Sequence, residues 1–211
     1  MASVLSLSPG EAVLGREFTD PARSRDDLAA LARIRASLVT RVRSDLAGGA
    51  WTVAGESHWL VVPELRALVQ SRSAFGVGFF GQAREHVDHT AILDLEQNLL
   101  ARTRFFPGLL TYYNVRFATG QWGNLVLFAN EDDRVHVRSD ATHLEALART
   151  ADHYRSVRLH RLLLTDGAVG DGPPVLESTL LIDFSETPPW RAVRRGQSHE
   201  VGYRTDVAEP R

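Results

Sequence analysis

The chain contains no cysteine. Disulfides, thiolate nucleophiles, iron–sulfur clusters and cysteine-ligated zinc are excluded with it. Lysine is absent too, and all 24 basic residues are arginine. That removes Schiff-base catalysis, covalent pyridoxal phosphate and a phosphate-loop lysine. No run of about 18 apolar residues occurs, so no membrane span is expected. The opening stretch Met1–Gly10 lacks the basic start and apolar centre of a secretory leader, which points to a cytoplasmic protein. The net charge is -2 and the pI about 6.4. A nucleic-acid surface would carry a basic excess, so none is expected.

What remains is the composition of a globular protein with its own core, 44% hydrophobic and 24% charged over 211 residues. Residues 1–72 read as a mainly helical N-terminal extension. Between Asp26 and Ala47, Leu28, Leu31, Leu38, Val42 and Leu46 recur near helical spacing, and Gly48-Gly49 ends the run. Trp51–Val53 and His58–Val62 suggest a small hairpin around Gly55. Pro63 then opens a short helix to Gln70, since proline suits a first helical position.

Residues 73–184 carry a clearer pattern. Ala74–Gly81 reads as a strand and Arg84–Arg102 as a helix burying Val87, Ala91, Ile92, Leu95 and Leu99. Leu109–Phe117 and Trp122–Ala129 read as two strands joined at Thr119-Gly120. Asp140 caps a helix over Ala141–Tyr154, followed by strands at Ser156–Leu164 and Val175–Phe184. Residues 185–211 are polar, with Pro188, Pro189 and Gly196, and read as a flexible tail.

Strand, helix, strand, strand, helix, strand, plus one more strand, resembles the dimeric α+β barrel superfamily. The resemblance covers roughly residues 74–184 and rests on element order. It implies an α+β fold with a ferredoxin-like antiparallel sheet, and a homodimer whose sheets pair face to face around a pocket. The superfamily includes cofactor-free monooxygenases, isomerases and cyclases, and haem enzymes of the chlorite dismutase and dye-decolorising peroxidase type. No member's catalytic motif is present, so no functional residue carries over.

Gly76-Val77-Gly78-Phe79-Phe80-Gly81 matches the G-x-G-x-x-G pattern of dinucleotide sites, but no buried strand precedes it and no helix opens at its glycines. Strand alternation fits it better, the glycines admitting a close neighbour. His86 and His89 are spaced like a helical metal pair, yet no third ligand is fixed by spacing, and no metal is expected.

The best candidate site is the last strand of the repeat. Alternation puts Val157, Leu159 and Leu163 on one face, and Arg158, His160 and Leu162 on the other. In a paired-sheet barrel that second face is the interior. There Arg158, with Asn124, would hold a developing oxyanion, and His160 would move the proton. If Phe117 pairs with Trp122, then Tyr113, Trp122, Asn124 and Phe128 share a face as an aromatic wall; a one-residue slip would exchange these partners. His143 and Tyr154, at the two ends of the second helix's apolar face, complete the substrate-binding set. The expected ligand is an aromatic or polycyclic small molecule with an ionisable oxygen, undergoing oxygenation, isomerisation or cyclisation without a cofactor. The alternatives are a haem protein on this scaffold, with His143 or another histidine as axial ligand, and a non-catalytic ligand-binding or dimerisation module.

Overall fold

The computed structural model describes residues 4–45, 48–88 and 90–196. In chain order the elements are β1 (Leu5–Leu7), α1 (Pro21–Arg43), β2 (Gly49–Val53), β3 (Glu56–Val61), α2 (Leu65–Gln70), β4 (Ala74–Ala83), α3 (Thr90–Arg102), β5 (Leu109–Arg116), β6 (Trp122–Phe128), α4 (Arg134–Arg138), α5 (Ala141–His153), β7 (Tyr154–Leu164), β8 (Val175–Asp183) and β9 (Trp190–Arg195). All nine strands join one mixed sheet, ordered β1-β9-β8-β7-β4-β6-β5-β3-β2. The fold is therefore mixed α+β, with helices on both faces of a single sheet.

Helix α1 begins at Pro21, five residues before the expected Asp26, and ends at Arg43. Pro21 occupies the first turn, the Asp20 carboxylate accepts from Ala22 N at 2.8 Å, and Arg41 and Arg43 sit in the last turn. Its stripe Asp27, Leu31, Ile34 and Leu38 is buried. The stripe packs in the main core with Phe80, Tyr113, Leu125, Leu127 and Leu162 from four strands. Glycine makes this approach possible: a Cβ on Gly78 would lie 2.5 Å from Leu31 Cδ1, and one on Gly76 would lie 3.2 Å from Leu127. The glycine run is thus part of β4, with Gly76 and Gly78 turned toward α1. Gly78→Ala should cost about 1–3 kcal/mol by overpacking, read as a lowered urea midpoint at unchanged slope.

The opposite face carries Phe75, Val126, Phe128 and Tyr112, which pack with Leu99 of α3 and Val137 of α4 in a second core. α3 and α5 contact each other over this face.

Several expectations need correction. Segments from both flanks of residues 73–184 enter the sheet: β2 and β3 extend the β5 edge, and β1 pairs in parallel with β9. The stretch after Ser185 therefore supplies β9, whose Ala192 and Arg194 are buried, rather than only a tail. Residues 197–211 lie outside the described set, as does His89. The helix expected from Arg84 starts at Thr90, because His86 sits in a turn with φ 60° and Asp88 accepts from Thr90 N. The β5–β6 hairpin closes one residue tighter than expected. Phe117 N donates to Gln121 O at 2.9 Å around Ala118-Thr119-Gly120, with Gly120 at φ 82°. A three-residue loop with glycine in the left-handed position gives that register. Arg116, not Phe117, then pairs with Trp122, and every β5 side chain changes partner.

Candidate functional site

A cavity of about 730 Å³ lies between the α3/α5 helices and the sheet. Its floor is the face of β4, β6, β7, β8 and β9 that bears Val77, Phe79, Asn124, Leu159, Leu180 and Val193. These side chains are only partly buried, so α3 and α5 do not seat on them. Leu147 of α5 lines the space while remaining 52% exposed. The helices bridge the floor and leave an apolar space of the size small-molecule sites commonly have.

Five of the residues expected at the site line this space: Asn124, Trp122, Phe128, His143 and Tyr154. The Tyr154 ring rests on Gly81, where a Cβ would lie 2.3 Å from it, and meets Phe79 edge-on at 5.3 Å. Burial pushes the Tyr154 phenol up to about 12, with the Glu96 carboxyl adding to the shift. Trp122 stacks on Trp59 at 5.6 Å beside a smaller recess of about 210 Å³, which shares Glu96 and Asn114 with the main cavity. Burial lowers the His143 pKa, more than Asp140 restores, and Arg138 lowers it further.

The other three do not reach it. The register shift turns Tyr113 to the α1 face, where it is fully buried, donates to Ser37 Oγ at 2.8 Å and meets His58 Nδ1 at 3.1 Å. Arg158 and His160 also face α1, as alternation required, but that face is packed and not hollow. The carboxylate of Asp27 accepts from Arg158 Nε at 2.5 Å and Nη2 at 2.9 Å, and from His160 Nε2 at 2.9 Å. Thr179 Oγ1 lies 2.9 Å from His160 Nδ1. Burial alone would raise the Asp27 pKa, but the hydrogen bonds from His160 and Arg158 outweigh it and hold the carboxyl below its usual range. The group is a satisfied, buried ion cluster pinning α1 to β7.

The carboxyl that does face the cavity is Glu96 of α3. It is flanked on its helix by Ile92, Leu93, Leu95 and Leu99, all of which line the same space. Burial pushes it up to about 7, and the Asn114 amide beside it offsets only part of that. The tightened hairpin brings Asn114 and Asn124 directly opposite each other. Asn114 Nδ2 and Asn124 Oδ1 are both buried without an aligned hydrogen-bond partner among the described residues. Tyr112, next on this face, is pushed far up by burial, with Glu96 and Tyr154 adding to it and Asn124 pulling the other way. One carboxyl, two amides and two neutral phenols thus converge on an apolar cavity. Among the described residues, no group of three or more histidine, cysteine or acidic side chains could hold a metal ion. No described helix is long and apolar enough to cross a membrane.

No family model and no curated protein matches this chain. A crystal structure of the NE2512 protein of unknown function from Nitrosomonas europaea is similar over 48% of this chain and 99% of its own, at 16% identity and a TM-score of 0.40.

Proposed function

We propose that this protein is a small-molecule enzyme that moves a proton with Glu96 inside the cavity between the sheet and the α3/α5 layer. The observation that carries this is a carboxyl with a pKa of about 7, beside two amides with unmet hydrogen bonds, in an apolar space large enough for a polycyclic ligand. The ionised carboxylate takes a proton from an ionisable oxygen, or from a carbon beside a carbonyl. Asn114 and Asn124 orient the oxygen on which charge develops, and the Tyr154 phenol, neutral at physiological pH, donates to it. Trp122, Phe79 and Phe128 hold the ring system and keep water from it. Such a step is common to isomerisation, cyclisation and cofactor-free oxygenation.

The ferredoxin-like reading of β4-α3-β5-β6-α5-β7 is supported by the spatial order β7-β4-β6-β5, antiparallel throughout. In this chain α1 covers the face through which two such sheets would pair, so the pocket is built within one chain. A homodimer, if formed, would use another surface.

Nitrobenzisoxazole tests the proton transfer without knowledge of the substrate, because any general base in an apolar cavity opens its ring. Its elimination should rise with pH through about 7 and fall about a hundredfold or more in Glu96→Gln. A rate that Glu96→Gln leaves unchanged rejects the role. Occupancy is tested separately with neutral phenylnaphthylamine, whose fluorescence should report binding that Leu159→Trp, filling the floor, weakens at least tenfold.

One observation favours a second reading. His143 lines the cavity, and its lowered pKa keeps the imidazole neutral, as an axial haem ligand requires. Haem bound there would supply redox chemistry. Titrating the protein with haem should then give a Soret band that His143→Ala shifts; no band removes this reading.

A further inference from the structure

Arginine dominates the charged lining of the cavity. Arg134 and Arg138 come from α4, Arg161 from β7 and Arg191 from β9, against Glu96 as the one acid among the lining residues. Three of them crowd one end. Arg134 and Arg161 both stand 5.5 Å from the Phe75 ring centre. The Arg134 pKa is lowered by burial and by the charges of Arg161 and Arg138, with Glu131 restoring part. Among the described residues, the single carboxylate paired at this end is the exposed Glu131, which pairs with Arg161 and lies 3.6 Å from Arg134. Neither Arg138 nor Arg191 makes a salt bridge among the described residues, and Arg161 Nε is buried without a hydrogen-bond partner. Guanidinium groups gathered at an apolar wall repel one another unless an anion joins them, and their forked donors match the oxygens of a carboxylate or phosphate.

The sheet register gives the length of such a ligand. Asn124 on β6 pairs with Phe79 on β4, and Arg161 on β7 pairs with Val77 on β4. Two strand spacings and one side-chain repeat separate them, about 12 Å between Cα atoms. The floor between is Val77, Phe79 and Leu159.

We infer that the ligand of this cavity is an elongated amphiphile, with an anionic oxygen group seated against Arg134, Arg138 and Arg161 and a ring or chain lying over Val77, Phe79 and Leu159 toward Asn114 and Asn124. This rests on the cavity being a ligand site, and it adds the charge, the orientation and the approximate length. The arginines bind the end of the molecule that does not react. They fix which atoms arrive at Glu96.

The test compares pyrenebutyrate with its neutral analogue pyrenebutanol, by fluorescence titration of the full chain and of Arg134→Gln/Arg138→Gln. Both substitutions lie on a short surface helix, and circular dichroism confirms the fold. Pyrenebutyrate should bind the parent at least tenfold more tightly than pyrenebutanol. The preference should shrink with added salt. The double variant should lose it while binding pyrenebutanol as the parent does. Equal affinities in the parent, or a preference that survives the double substitution, overturn the inference and leave the cavity reading standing. If neither probe binds, both fall. Displacement of pyrenebutyrate by decanoate or by decyl phosphate supports the anionic seat and shows which group it takes; displacement by neither overturns it.

Discussion

Glu96→Gln should stabilise the protein by about 3 kcal/mol at about pH 8 and leave it unchanged at about pH 4. The sign follows from the raised pKa. Below the ordinary glutamate value, near 4.5, the carboxyl is protonated whether the chain is folded or not, and contributes nothing to pH dependence. Between that value and about 7, the unfolded chain releases the proton and the folded chain keeps it, so folding loses free energy as pH rises. Above about 7 the full cost is present, and glutamine removes it. Urea unfolding at the two pH values measures it. A variant no more stable than the parent at the higher pH would show that the carboxyl is not held in an apolar setting. Such a cost would be consistent with the proposed proton-transfer role of Glu96.

Asp27→Asn should act in the opposite direction, and by about 3–5 kcal/mol. The substitution keeps the shape of the side chain but leaves the Arg158 guanidinium, 6% exposed, with no carboxylate partner. Replacing all three groups together with apolar side chains, as Asp27→Leu/Arg158→Met/His160→Leu, should be far milder than the single change, since no buried charge is stranded. The Asp27 pKa is depressed, so its contribution is present above about pH 3.8 and lost as pH falls below that, placing it on the acid limb of the stability profile. Urea midpoints of the parent, the single and the triple variant across pH separate these cases. A single variant as stable as the parent would mean that the cluster does not fasten α1 to the sheet.

The two residues Glu96 and His160 show where sequence reading succeeds and where it stops. Strand alternation correctly put Arg158 and His160 on one face and Val157 and Leu159 on the other. It could not say which face would be covered by the long helix encoded about 130 residues earlier, because periodicity within an element carries no information about its distant partner. The sign was present in α1, where Asp27 falls one turn before Leu31 on the buried stripe. Glu96 was legible in the same way. It follows Ile92 by four residues and precedes Leu99 by three, so it sits inside the apolar stripe of α3 and not opposite it. An acid in that position needs a reason, and the cavity is the reason. Asn124 and Trp122 were placed at the site for an aromatic wall that included Tyr113. The wall exists with Tyr112 and Asn114 in its place, because one glycine in the left-handed region shortened the hairpin by a residue. β9 is hidden in the sequence because Pro188-Pro189 precede it and Gly196 follows it, a pattern typical of irregular backbone. Its alternating Ala192 and Arg194 have a buried face only when β8 and β1 lie on either side.

That edge has a consequence for biosynthesis. Leu5–Leu7 align with Ala192–Arg194, so β1 has no hydrogen-bonding mate in the sheet until β9 has been synthesised. Until then β8 lacks its β9 neighbour and forms a temporary edge of the sheet. Chaperone demand during translation should concentrate in that interval, and closing the border should be the late, slow event of maturation.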